Sequence, residues 1–206
     1  MSTADLPPTR WEGESVGEQW TSYRERFAEL VASGADLDGE ARLLDAMVPR
    51  GAAVLDGGCG TGRVTDALRR RGHHVVGVDR DEGLLAAARE WYPESRYLVS
   101  DLLALDIGTL AAVGAPTAFD LVALPGNVLV YVAPGTERAV LGVLAGLLRP
   151  GGRVVAGFAT DRSYGVAGLD ADAAALGLAV EHRWSTWDLE PWRVDADWCV
   201  TVLRGE

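Results

Sequence analysis

Apolar and polar positions along the chain follow two rhythms. Short apolar runs, "AAVLDG", "HHVVGVD", "SRYLVSD", "AFDLVALPG" and "GRVVAGF", recur through the middle of the sequence. Most are separated by stretches of helical periodicity such as "VTDALRRRG", "DEGLLAAAREWY" and "GTERAVLGVLAGLLR". In the last of these, Val140, Leu141, Leu144, Leu147 and Leu148 fall on one helical stripe. Strand then helix, repeated, predicts βαβ units: an α/β fold with a doubly wound, mostly parallel sheet covered by helices on both faces. After "GRVVAGF" the rhythm changes. A short helix near "DADAAALG" precedes two β-rich runs, "LAVEHRWSTWDL" and "DADWCVTVLRG", joined by the turn-prone "EPWRVD". So short a link makes these two strands pair antiparallel, and the sheet is expected to finish with a hairpin. Two helical patterns at 17–32 and 38–48 have no accompanying strand and read as an N-terminal helical cap (1–50) on a core at 51–206.

Composition adds bounds. At 206 residues and 48% hydrophobic content the chain can bury one substantial core, so a single domain is expected. No window reaches the roughly 18 apolar residues of a membrane span, and "MSTADLPPTRWEGES" has no apolar region of a secretory leader. A cytoplasmic protein without a membrane partner is expected. Cys59 and Cys199 are far apart and in unlike contexts, which suggests reduced structural thiols and no metal site. A formal net charge of −11 disfavours nucleic acid and favours a small-molecule substrate.

The candidate chemistry starts at "VLDGGCGTGR". Glycines in a strand-to-helix turn let backbone approach a ligand where a Cβ would clash or forbid the required φ. A dinucleotide turn wants G-x-G-x-x-G, but the third position is Arg63 counted from Gly58 and Thr65 counted from Gly60. What stands instead is Asp56, Gly58, Gly60 and Gly62, with a carboxylate at the strand end that would oppose a pyrophosphate and favour a cationic ligand. A second apolar run ends in Asp79, one helix and one strand further on.

In these motifs the sequence resembles the class I S-adenosyl-L-methionine (SAM)-dependent methyltransferases, of the small methyltransferase type 11/25 kind. The landmarks run in order across roughly residues 54 to 158: "VLDGGCGTGR", "VVGVDRDEGLLAAARE", "LVSDLLALD", "FDLVALPGNVLVYV" and "LLRPGGRVVAGF". The resemblance implies a Rossmann-like seven-stranded sheet, SAM as cofactor and S-adenosyl-L-homocysteine (SAH) as product. It also implies roles for individual residues. Gly58 and Gly60, with Cys59 between them, would admit the methionine part of SAM, and Asp56 would reach its amino group. Asp79 would accept the ribose hydroxyls, Arg80 would lie over the adenine, Asp101 would accept the adenine amino hydrogen and the Leu102 amide would donate to the ring. Arg63 is a candidate for the cofactor carboxylate. Leu124, Pro125, Gly126 and Asn127 would floor the transfer site.

The transfer itself is an in-line displacement in which alignment carries much of the rate, so a general base is optional. "LPGN" lacks the N/D-P-P-Y pattern of enzymes that methylate exocyclic or amide nitrogens. Asn127, Tyr131, Asp161 and Tyr164 are the candidates for orienting or activating an acceptor, through an O or N nucleophile. His73 and His74 are expected in a solvated turn, and His182 within a strand. Trp20, Tyr23 and Phe27 share one helical face, which predicts that Trp20 or Tyr23 touches cofactor or substrate. Two other readings stay open at this point: a SAM- or SAH-binding protein without methyl transfer, and a nicotinamide-dependent oxidoreductase, which the glycine register opposes.

Overall fold

Alternation within each central strand sets the layers. In the computed structural model, which describes residues 6–14 and 17–205, β1 is Ala53–Gly57, β2 His74–Asp79, β3 Tyr97–Val99, β4 Phe119–Leu124, β5 Leu148–Ala159, β6 Leu178–Trp184 and β7 Trp198–Gly205. Part of the N-terminal stretch read above for a leader lies outside the described residues. Val54, Val75, Leu121, Val155 and Val200 point to one face, where they pack with Ala41 and Leu44 of α3 (Gly39–Ala46) and Val64 and Leu68 of α4 (Arg63–Arg70). Their neighbours Leu55, Val76, Val122, Val154 and Cys199 point to the other face. There they meet α6 (Ile107–Ala112), α7 (Val128–Tyr131), α8 (Glu137–Ala145) and α9 (Val166–Ala175). Burial on both faces is why these strands read as continuous apolar runs.

The strand order is β3-β2-β1-β4-β5-β7-β6, parallel through β5, with β7 antiparallel to both β5 and β6. The expected hairpin is present, and its second strand is the one inserted beside β5. The chain runs outward from β1 toward β3 on one side and from β4 toward β5 on the other. The carboxyl ends of β1 and β4 therefore flank the point where the order reverses, the place where such sheets bind ligands.

Three further helices complete the count among the described residues: α1 (Arg10–Glu14), α2 (Glu18–Ala32) and α5 (Glu82–Trp91). Asp81 caps α5 by accepting the amide of Leu84. Two details differ from the pattern reading. Helix α8 ends at Ala145, so only Val140, Leu141 and Leu144 form its buried stripe, and Leu148 already opens β5. His73 is not in a solvated turn: its side chain is buried, and its Nε2 lies 2.8 Å from Asp45 Oδ1 just past Leu44 of α3. His74, by contrast, is exposed at the start of β2.

Candidate active site

A cavity of about 600 Å³ opens at the carboxyl ends of β1, β2 and β4. Its floor is the glycine turn after β1. Gly58 (φ +64°) and Gly60 (φ +54°) hold left-handed backbone, and both line the cavity. A Cβ on Gly58 would stand 2.7 Å from a methyl of Val128, and one on Gly60 would stand 3.2 Å from the Tyr23 hydroxyl. Gly58 is thus required as much by the chain after β4 as by any ligand.

The end of β2 is stitched to that turn. Asp79 accepts the amide of Gly60 through Oδ2 and the amide of Asp81 through Oδ1, each at 2.8 Å. Burial pushes its pKa up to about 6, against the pull of those two N–H groups. Asp79 lines the cavity. Beside it, Arg80 closes a small charge network: it pairs with Asp101 at 2.8 Å and with Glu12 at 3.0 Å, and donates to the Pro7 carbonyl at 3.1 Å. Asp101 meanwhile caps the short 3-10 turn Leu102–Ala104 by accepting the Leu103 amide at 2.7 Å. Arg80, Asp101 and Leu102 all line the cavity.

The N-terminal elements roof it. Both indole N–H groups of Trp11 and Trp20 donate to Asp81 Oδ2, at 3.1 and 2.7 Å. Arg10 reaches across to the carbonyls of Val130 and Val132 and pairs with Glu137 of α8 at 2.8 Å. Trp11 stands edge-on to Tyr23 and to Tyr131, with ring centroids 5.3 and 5.5 Å apart, and all three rings face the cavity. Burial pushes the Tyr23 hydroxyl up to about 12.

After β4, Asn127 adopts φ 62° and holds the turn from both sides. Its amide donates to the Gly157 carbonyl at 3.0 Å, and its Oδ1 accepts the Ala159 amide at 2.8 Å. Asn127 and Gly126 line the cavity.

Eight of the sequence candidates lie elsewhere, among them Pro125, which is buried behind Gly126 and does not line the cavity. Asp56 is sealed beneath the glycine turn, where Oδ2 accepts the Thr65 hydroxyl at 2.6 Å, Oδ1 has no partner, and burial pushes its pKa to about 7. Cys59 is buried, which pushes its thiol pKa up, and packs with Leu85 and Ala88 of α5. Arg63 forks onto both carboxylate oxygens of Glu40 and lies over the Phe27 ring, so it turns away from the cavity. Leu124 is core, and Trp20 covers Gly83 on α5. Asp161 is 80% exposed in its side chain and pairs only with Arg162. Tyr164 donates to Asp172 of α9 at 3.0 Å and packs on Phe158. The loop after β5 thus turns inward onto α9, and its polar groups are engaged there. Three charged lining residues escaped the sequence reading, Glu12, Arg26 and Asp81. Arg26 lies one helical turn beyond Tyr23 on α2, a spacing that could have drawn attention to it.

A family model described as a methyltransferase domain matches residues 54–152. A malonyl-[acyl-carrier protein] O-methyltransferase of Pectobacterium atrosepticum is 36% identical over 66% of this chain and 47% of that protein. A ubiquinone biosynthesis O-methyltransferase of Xylella fastidiosa is 32% identical over 65% of this chain and 57% of its own length. The chain spans about half the length of these curated relatives. Among solved structures, a TehB-like SAM-dependent methyltransferase from Corynebacterium glutamicum is 36% identical, covers 90% of this chain and 97% of its own, and superposes with a TM-score of 0.81. With that relative matched over nearly its whole length, this chain belongs to the class I SAM-dependent methyltransferases.

Proposed function

We propose that this chain transfers a methyl group from SAM to a small-molecule acceptor through an oxygen or nitrogen nucleophile, as one unit in which the N-terminal helices cap the core. The observation that carries this reading is the link from Asp79 to Gly60, which sets a buried carboxylate beside a turn that presents Gly58 and Gly60 to the same cavity. The residues fit the cofactor. Each Asp79 oxygen has one N–H partner and keeps a lone pair for a ribose hydroxyl. Gly58 and Gly60 leave room for the amino-acid part, and Leu102, with Asp101 and Arg80 around it, forms the end suited to adenine. SAM, when bound, supplies a methyl group activated by a positive sulfur.

The chain's own contribution is orientation and exclusion of water. Trp11 and Tyr23 close the roof, and Tyr131 and Asn127 wall the side where an acceptor would lie. Holding reactants aligned can supply on the order of 7 to 11 kcal/mol in the best cases, so a pocket without a dedicated base is compatible with the reaction. Calorimetric titration with SAH, SAM and NADH in parallel tests the reading. Binding of both sulfur nucleosides with NADH silent supports it, and silence from SAH and SAM would withdraw it.

A further inference from the structure

We propose that the acceptor enters this cavity as an anion, a carboxylic acid in its carboxylate form, and that Arg26 anchors it. The inference rests on the methyl-transfer reading above and narrows it to a substrate class.

Charge at the cavity wall is largely compensated within the protein. Every acid that lines it already has donors. Glu12 accepts the Thr9 amide at 2.8 Å and pairs with Arg80. Asp79 holds two amides. Asp81 holds two indoles and the Leu84 amide, at 3.0 Å. Asp101 holds the Leu103 amide and Arg80. No histidine or cysteine is among the described lining residues, and the Tyr23 phenol keeps its proton at neutral pH because burial pushes it up to about 12. Apart from the Tyr131 phenol, every proton acceptor that these side chains present to the cavity is therefore already engaged by a donor.

Alcohols, thiols and ammonium groups all have to lose a proton before or during attack. A carboxylate has none to lose. Its oxygen forms the bond to the methyl carbon as the carbon–sulfur bond breaks, the electron pair passes to sulfur, and a neutral ester and neutral SAH result with no proton released.

The cations point the same way. Arg80 is closed by two acids and a carbonyl. Arg26, an exposed residue of α2, lines the same cavity and has no hydrogen-bond or ion-pair partner among the described residues. A guanidinium fork matches a carboxylate in geometry as well as charge and repels an ammonium acceptor. Arg26 sits on α2 one turn beyond Tyr23, whose hydroxyl lies over Gly60, and so belongs to the roof rather than the floor.

The test titrates SAH-saturated protein with hexanoate, benzoate and succinate and with their amides, in wild type and Arg26→Gln. The expected result is binding of at least one carboxylate, at least tenfold weaker binding of its amide, and a tenfold or greater loss in Arg26→Gln, with SAH affinity itself unchanged within twofold. Absence of carboxylate binding across the set, or equal binding of acid and amide, overturns the proposal. So does an Arg26→Gln variant that loses affinity for SAH but not for 5′-methylthioadenosine, which lacks the amino-acid part; Arg26 would then serve the cofactor's own carboxylate. Failure of wild-type protein to bind SAH at all would instead remove the methyl-transfer reading beneath it.

Discussion

Asp79 and Gly60 are joined by a 2.8 Å hydrogen bond from backbone amide to buried carboxylate, so the end of β2 and the turn after β1 move as one piece. The same side chain accepts the Asp81 amide, which places the residue that receives Trp11 and Trp20. Floor, wall and roof of the cavity therefore share one polar chain.

Replacing Asp79 with Ala should weaken SAH binding by about 1.5–3 kcal/mol, the scale of hydrogen bonds to a charged group, while the far-UV circular dichroism stays that of a folded α/β protein. Calorimetry reads the first and spectroscopy the second. Unchanged SAH affinity would remove Asp79 from the ribose role.

The two buried carboxylates also predict how stability depends on pH. Burial raises Asp56 to about 7 and Asp79 to about 6, above the ordinary carboxylate range, so between that range and these values the folded chain retains protons that the unfolded chain has released. Their contribution is fully present below the unfolded value and is lost as pH rises through about 6 to 7. Urea midpoints of wild type should fall between about pH 5 and pH 8, relative to those of Asp56→Asn. Parallel curves for the two proteins would contradict the assignment.

Arg63→Ala should lower stability by about 1–3 kcal/mol, because it leaves Glu40, 18% exposed in its side chain, without its partner and removes the stack on Phe27. SAH affinity should remain within twofold. A selective loss of SAH binding with unchanged melting temperature would restore Arg63 to the cofactor.

Asn127 carries two separable properties, a left-handed backbone and a side-chain bond to the Ala159 amide. Asn127→Gly keeps the first and loses the second, and should cost about 1 kcal/mol. Asn127→Ala adds the cost of φ 62° on an ordinary residue, roughly another 1 kcal/mol. Thermal melts of the pair separate the two terms, and equal stability of the Gly and Ala variants would show that the backbone conformation carries no strain.

The readable parts of this molecule are those encoded within a few residues. The strand runs, the glycine turn, Asp79 at the end of β2 and the closing hairpin each declare themselves by local spacing, and the sheet follows from them with little freedom. What escaped depends on partners from distant segments. Nothing near His73 announces Asp45, and nothing near Arg63 announces Glu40; both acids arrive from α3 across more than twenty residues. Asp161 and Tyr164 lie in the loop that leaves the carboxyl end of β5, yet Asp161 is exposed there. Asp172, in the second half of α9, draws Tyr164 away from the cavity. Arg26 has no local signal beyond its spacing from Tyr23, because charged positions on an exposed helix are ordinarily solvated.

The place of β7 has a consequence for how the chain reaches its final form. Strand β6 bonds only to β7, and β5 offers its free side to β7 alone, so both wait on Trp198–Gly205. During synthesis the long, apolar β5 keeps an unpaired edge until this segment emerges, a template for wrong pairing between nascent chains. A stop codon before Trp198 would delete one strand from the sequence but strand two, leaving a five-stranded sheet with β5 bare.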